Sequence, residues 1–115
     1  MSGSYRDLMA WQKAIELVAE IYSCTRTFPR EEQFGLTNQL RRAAVSIPSN
    51  IAEGKGRSTD KDFSLFLHHA RGSLCEIETQ LTIAERLGYL PANTAGKLME
   101  QASEVAKILN ASFAL

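Results

Sequence analysis

Phe63, Leu67, Ala70, Leu74, Ile77, Leu81 and Ala84 recur at steps of 4, 3, 4, 3, 4 and 3 residues. That spacing returns each side chain to one face of an α-helix and makes the seam of a bundle or coiled coil. A half-buried strand would need apolar residues at every second position, and strand signals are almost absent from the chain. A helix with such a seam packs against other helices in a bundle or coiled coil. The remaining sequence therefore has to supply its partners.

It supplies three. Leu8, Trp11, Ile15, Val18 and Tyr22 step by 3, 4, 3 and 4, which predicts a helix over residues 5 to 27 with these side chains inward. Phe28-Pro29 stops it. A second helix is expected from Arg30, with Glu31 and Glu32 in its first turn, where the helix dipole favours acids. Its inward stripe is Leu36, Leu40, Ala43, Ile47 and Ile51, and Gly54-Lys55-Gly56 ends it. Ser58 or Thr59 caps the heptad helix, with Asp60 and Asp62 in its first turn. Gly88 stops that helix, and Pro91 marks the turn into a fourth, with Leu98, Ala102, Val105 and Leu109 inward. Asn93 and Gly96 leave the start of this last helix open. Long helices joined by short connections favour antiparallel neighbours. The expected fold is all-α, an antiparallel up-down-up-down four-helix bundle spanning residues 1–115 as a single domain. Trp11 and the Phe residues fall on the inward stripes and are read as core.

With 44% hydrophobic and 23% charged residues, the composition is that of an ordinary globular protein. A chain of this size buries only a modest core, and oligomerisation would ease that limit. Formal charge is zero, so no overall field draws the chain to nucleic acid or membrane. The charge is nevertheless uneven. Residues 26–61 hold seven Lys/Arg against four Asp/Glu, net +3, and residues 62–115 hold four against six, net −2. Such a division could steer subunits together or place phosphate near the middle of the chain. Cys24 and Cys75 lie far apart in no metal or redox spacing, and are expected to be reduced, buried thiols of a cytoplasmic protein. The first residues lack the apolar run of a signal peptide, and no apolar stretch approaches the ~18 residues of a membrane span.

The second helix carries more polarity than a core helix needs. Gln39, Arg42, Ser46, Asn50 and Glu53 step by 3, 4, 4 and 3, a polar stripe beside the apolar one. A solvated face is one reading. Short Ser and Asn side chains are poor helix formers unless they find partners, so interhelix or subunit contacts are the other. Arg71 and Glu76 on the third helix are the natural counter-charges, for Glu53 and for Arg41 or Arg42. Gly72 costs about 1 kcal/mol against Ala within a helix, which a close helix approach would offset. Pro48 removes the hydrogen bond to the Ala44 carbonyl and should bend the second helix, either as a tolerated kink or as part of a curved assembly.

The motifs that could carry catalytic chemistry are each incomplete. Gly54-Lys55-Gly56-Arg57-Ser58-Thr59 has the wrong order and context for a P-loop, leaving at most one phosphate at the start of the third helix. His68 and His69 are adjacent and point about 100° apart, so they cannot share a metal. Ser46 and Ser73 lack a nucleophile elbow. Glu53 and Glu76 lack the Glu-x-x-His partners of a metal-binding bundle. No catalytic residue, metal or cofactor is expected, and the chain is read as not an enzyme.

Phe28-Pro29, Glu32, Phe34-Gly35-Leu36, Gln39-Leu40-Arg41-Arg42-Ala43, Ser46-Ile47-Pro48-Ser49-Asn50-Ile51-Ala52-Glu53-Gly54 and Arg57 make a long, unusual motif. Phe66-Leu67, Ala70-Arg71-Gly72-Ser73-Leu74 and Glu76 continue it. In these segments the chain resembles the small four-helix-bundle proteins related to the protein encoded in intervening sequences of bacterial 23S rRNA genes. The resemblance implies a bundle assembled as a homopentameric barrel. It also implies distant similarity to the accessory protein of diversity-generating retroelements, which binds nucleic acid and a reverse transcriptase through a basic surface. No enzymatic activity is established for the family. This chain departs from its strongly basic relatives in being neutral overall. The candidate nucleic-acid contacts are Arg41, Arg42, Lys55, Arg57 and Lys61, which fivefold repetition would gather into a basic patch for RNA or DNA phosphates. A protein–protein scaffold with no nucleic-acid activity is the alternative.

Overall fold

The computed structural model describes Tyr5 and residues 8–113. Its described elements are α1 (Met9–Thr25), a short 3-10 turn (Arg30–Glu32), α2 (Leu36–Lys55), α3 (Asp60–Arg86) and α4 (Ala92–Phe113). α1 packs on α2, α2 on α3, α3 on α4, and α4 closes back onto α1, whereas the backbones of the diagonal pairs do not approach closely among the described residues. This is the four-cornered antiparallel bundle that the helix lengths and short connections predict, about 45 Å long.

The apolar stripes of α2, α3 and α4 fill the centre. Leu40, Ile47 and Ile51 meet Leu67, Leu74, Ile77 and Leu81, with Leu98, Val105 and Leu109 behind them, all buried. Every member of the α3 heptad is buried except Phe63, which packs against the core edge. Thr59 caps α3, its hydroxyl accepting the Asp62 amide at 3.1 Å. At the other end Gly88 adopts a φ of 81°, and the Tyr89 amide reaches back to the Ala84 carbonyl at 2.9 Å. That six-to-one bond closes the helix through a left-handed residue that glycine takes without strain.

α1 differs from the sequence expectation. Its buried face is Ala10, Ala14, Leu17, Ile21 and Thr25. Leu8, Trp11 and Val18 only flank the core, and Ile15 and Tyr22 are 42% and 38% exposed. The apolar periodicity is correct, but the face that carries it is rotated by one residue. Two alanines on the inner face let α1 sit close to its neighbours, and the larger side chains are left on its outer flank.

α2 begins at Leu36, not Arg30. Glu32 lies in the preceding 3-10 turn and reaches forward, its Oε1 accepting the Leu36 amide at 2.9 Å while Oε2 accepts the Tyr89 hydroxyl at 3.0 Å. One carboxylate thus satisfies an orphan amide at the start of α2 and ties the α1–α2 connection to the α3–α4 turn. Phe28 and Tyr89 pack their rings 5.4 Å apart beside it. Phe34, read as core with the other Phe residues, is 87% exposed in this connection.

The glycine that permits a close helix approach is also not the expected one. Gly72 faces open space, with nothing within 4 Å of an added Cβ. At buried Gly54 such an atom would stand 2.9 Å from the Phe66 Cβ and 3.3 Å from the Phe63 carbonyl. α2 and α3 therefore converge at the end of α2, and the steric requirement for glycine lies there.

Candidate interaction surfaces

The polar stripe of α2 meets α3 along part of its length. The Ser46 hydroxyl donates to the Ala43 carbonyl at 2.9 Å, which leaves Ser73 as donor in the hydrogen bond between the two serines. Two turns away, Gln80 Nε2 donates to Gln39 Oε1 at 3.3 Å, while Gln80 Oε1 stays buried without a hydrogen-bond partner. Antiparallel helices with these two pairs in register place Arg42 opposite Glu76 between them. The four, with Arg42 and Glu76, line a shallow groove of about 300 Å³. Asn50 turns along its own helix, donating to the Ser46 carbonyl at 2.7 Å. Ser46, Ser73, Gln39 and Gln80 are thus interhelix contacts, whereas Asn50 is a local one.

The expected counter-charges do not pair as drawn. Glu53 takes Arg57 on its own helix end, at 2.9 Å, and Arg71 approaches Asn110 of α4 at 3.5 Å. Arg41 turns to α1: its Nε donates to Thr25 Oγ1 at 2.9 Å, its Nη2 to the Tyr22 carbonyl at 3.3 Å, and its guanidinium lies 4.6 Å from the Tyr22 ring centre. A cation at the last carbonyls of a helix also meets the negative end of its dipole. Arg41 is in this way a latch between α1 and α2.

Arg42, Lys55, Arg57 and Lys61 are exposed. Fourteen residues at 1.5 Å rise set Lys55 about 21 Å from Arg41 along α2, so the five candidates do not form one patch within a single chain. At the α2–α3 turn, Lys55, Arg57 and Lys61 are interleaved with Glu53, Asp60 and Asp62. Arg57 also stacks over the Phe66 ring, 4.8 Å from its centre.

A surface absent from the sequence reading is apolar. The rotation of α1 sets Trp11, Ile15 and Val18 beside Val45, Pro48 and Ala52 of α2, around an open groove of about 290 Å³. Tyr5 closes one end, its ring 5.4 Å from that of Trp11. Ile15 and Val45 are 42% and 40% exposed. The signal for this groove lies in the sequence: α1 carries apolar residues on two adjacent stripes, more than one buried face can use. Pro48 lines the groove on the side facing α1.

A second hollow, about 320 Å³, lies between α1 and the start of α4 and is lined by Glu20, Ser23, Cys24, Asn93, Thr94 and Lys97. Burial, with the Glu20 charge adding to it, pushes the Cys24 thiol up to about 11, which disfavours the thiolate a nucleophile would need. Cys75, expected to be buried, is exposed. Among the described residues no group of three or more His, Cys, Asp and Glu is placed to hold a metal, and no helix is long and apolar enough to cross a membrane.

The model of the family described as 23S rRNA-intervening sequence protein matches residues 6–111. No curated protein matches the chain. Among solved structures, the fold is similar to that of a protein of unknown function from the S23 ribosomal protein family of Bacteroides thetaiotaomicron VPI-5482. The TM-score is 0.81 at 23% identity, over 90% of this chain and 96% of that one. The family match takes in the polar seam, the Arg41 latch and almost all of the apolar groove, and the chain belongs to the 23S rRNA-intervening sequence protein family.

Proposed function

We propose that this protein is a non-enzymatic, self-assembling bundle whose copies form a homopentameric barrel, and that it works through surfaces shared by several copies. The observation that carries this reading is the apolar groove between α1 and α2. A small bundle gains stability by covering such a surface, and contiguous exposed apolar patches mark interaction sites. The number five follows the resemblance to the family. Light scattering behind a sizing column tests it: about five times the 12.8 kDa chain mass is expected, and a monomer at micromolar concentration would refute it.

The assembled protein acts as an accessory that holds RNA or DNA by its backbone, through Arg42, Lys55, Arg57 and Lys61 brought round the ring. Arg41, engaged on α1, contributes to the bundle instead. Binding of this kind loses affinity steeply as salt rises. Electrophoretic shifts with RNA and DNA at increasing salt should show that loss. The interleaved acids at the α2–α3 turn support the alternative, a scaffold whose partners are proteins only, and absence of any shift at low salt would select it.

A further inference from the structure

The apolar groove has a counterpart on another side of the bundle. α1 and α3 sit at diagonal corners of the bundle, as do α2 and α4, so the α1/α2 face and the α3/α4 face lie on different sides of it. On the α3/α4 face a shallow hollow of about 400 Å³ is lined by Glu78, Thr79, Thr82, Ile83 and Met99. Ile83 is 44% exposed, and Leu87, which caps the end of α3, is 56% exposed. Both sides of one chain thus present uncovered aliphatic surface.

The two sides also differ in charge. The stretch that builds α1, α2 and their flanking turns, residues 8–61, carries eight cations and six anions, net +2. The stretch that builds α3 beyond its first turn together with α4, residues 62–115, carries four and six, net −2. Two α1/α2 faces brought together oppose like charge, as do two α3/α4 faces. An α1/α2 face set against an α3/α4 face opposes unlike charge and matches apolar surface with apolar surface.

Resting on the self-assembly reading above, we propose that the α1/α2 groove receives the α3/α4 face of a second copy, centred on Ile83, in a head-to-tail contact. Such a contact uses two different patches of each chain. It therefore leaves one patch free at each end of a dimer and propagates until rotation closes a ring. A self-complementary contact through the α1/α2 groove alone would stop at two copies.

Two variants at exposed positions separate these arrangements. Val45→Glu places a carboxylate in the groove, and Ile83→Glu places one on the α3/α4 face. Both sites are open to solvent in the single chain, and circular dichroism should show wild-type helix content in each. Light scattering should find each variant alone reduced to single chains. An equimolar mixture should then give a species of two chains, because the intact α3/α4 face of Val45→Glu fits the intact groove of Ile83→Glu. If Ile83→Glu assembles like wild type while Val45→Glu does not, the contact is self-complementary and the proposal is overturned. If both variants assemble like wild type, other surfaces join the copies and it is again overturned. If both stand as single chains and mixing yields no pair, head-to-tail pairing of these two faces is overturned. A wild-type monomer would instead overturn the self-assembly reading itself, a result distinct from all of these.

Discussion

Gly54 and Gly72 should respond to alanine in opposite directions. Gly72 lies well inside α3 with nothing within 4 Å of the added Cβ, and Gly88 is the one positive-φ glycine among the described residues. Alanine there meets no clash and gains helix propensity, about 1 kcal/mol. Gly54 lies one residue before the end of α2, so its propensity gain is only a fraction of that. Its Cβ would stand 2.9 Å from the Phe66 Cβ and 3.3 Å from the Phe63 carbonyl. Neither atom is the free end of a flexible side chain, so α2 and α3 must separate, and overpacking of this kind costs about 1–3 kcal/mol. The net expectation is a loss of about 1–2 kcal/mol for Gly54→Ala. For a chain of this size, 1 kcal/mol moves the melting midpoint by about 4 °C. Urea titrations followed by circular dichroism, at one chain concentration, should show the midpoint rise for Gly72→Ala and fall for Gly54→Ala at unchanged slope. An unchanged or raised midpoint for Gly54→Ala, or a lowered one for Gly72→Ala, would refute the assignment of the close approach to the end of α2.

Three further predictions test other contacts. Arg41→Ala removes a half-buried latch with two hydrogen bonds to the end of α1 and should lower stability by about 1–2 kcal/mol, whereas Arg42→Ala should change it by less than about 0.5 kcal/mol in the single chain. Urea midpoints of the two variants in the Val45→Glu background compare them directly, and equal values would count against the latch. The hydrogen bond to the Glu32 carboxylate holds the Tyr89 hydroxyl above its ordinary 10.0, with desolvation and the acidic neighbours acting in the same direction. The bond's contribution is therefore complete below pH 10 and is lost as pH rises through the folded value. The margin of wild type over Tyr89→Phe in thermal melts should shrink above pH 10, and a margin independent of pH would contradict this. Finally, exposed Cys75 should react with a thiol reagent at pH 8 well before Cys24, whose thiolate is suppressed, and faster labelling of Cys24 by peptide mapping would refute that order.

The bundle was legible in the sequence wherever one apolar stripe stood alone. α2, α3 and α4 each have one dominant row of aliphatics, and burial selects that row, leaving Val45 and Ile83 exposed outside it. α1 has two candidate rows one residue apart. Periodicity cannot choose between Ala14 with Leu17 and Ile15 with Val18, because the decision depends on how closely the neighbouring helices approach. Side-chain pairing was less legible. The polar stripe marks Ser46 as needing a contact but does not name Ser73 as its partner. Arg41 is long enough to reach Glu76 or α1, and the structure sends it to the helix end. Gly72 was misread because a helical glycine signals either close packing or mere tolerance, and only the position of the neighbouring helix distinguishes them.

The two-sided character of α1 has a consequence for the chain in dilute solution. If copies cover the groove of Ile15 and Val45, part of the free energy that keeps each bundle folded is supplied by mass action. The melting midpoint then becomes a function of chain concentration. Newly made chains at low abundance are the least protected, with an apolar strip open to any other hydrophobic surface they meet. Expression level, through its effect on how many chains find one another, would then enter the stability of the folded protein.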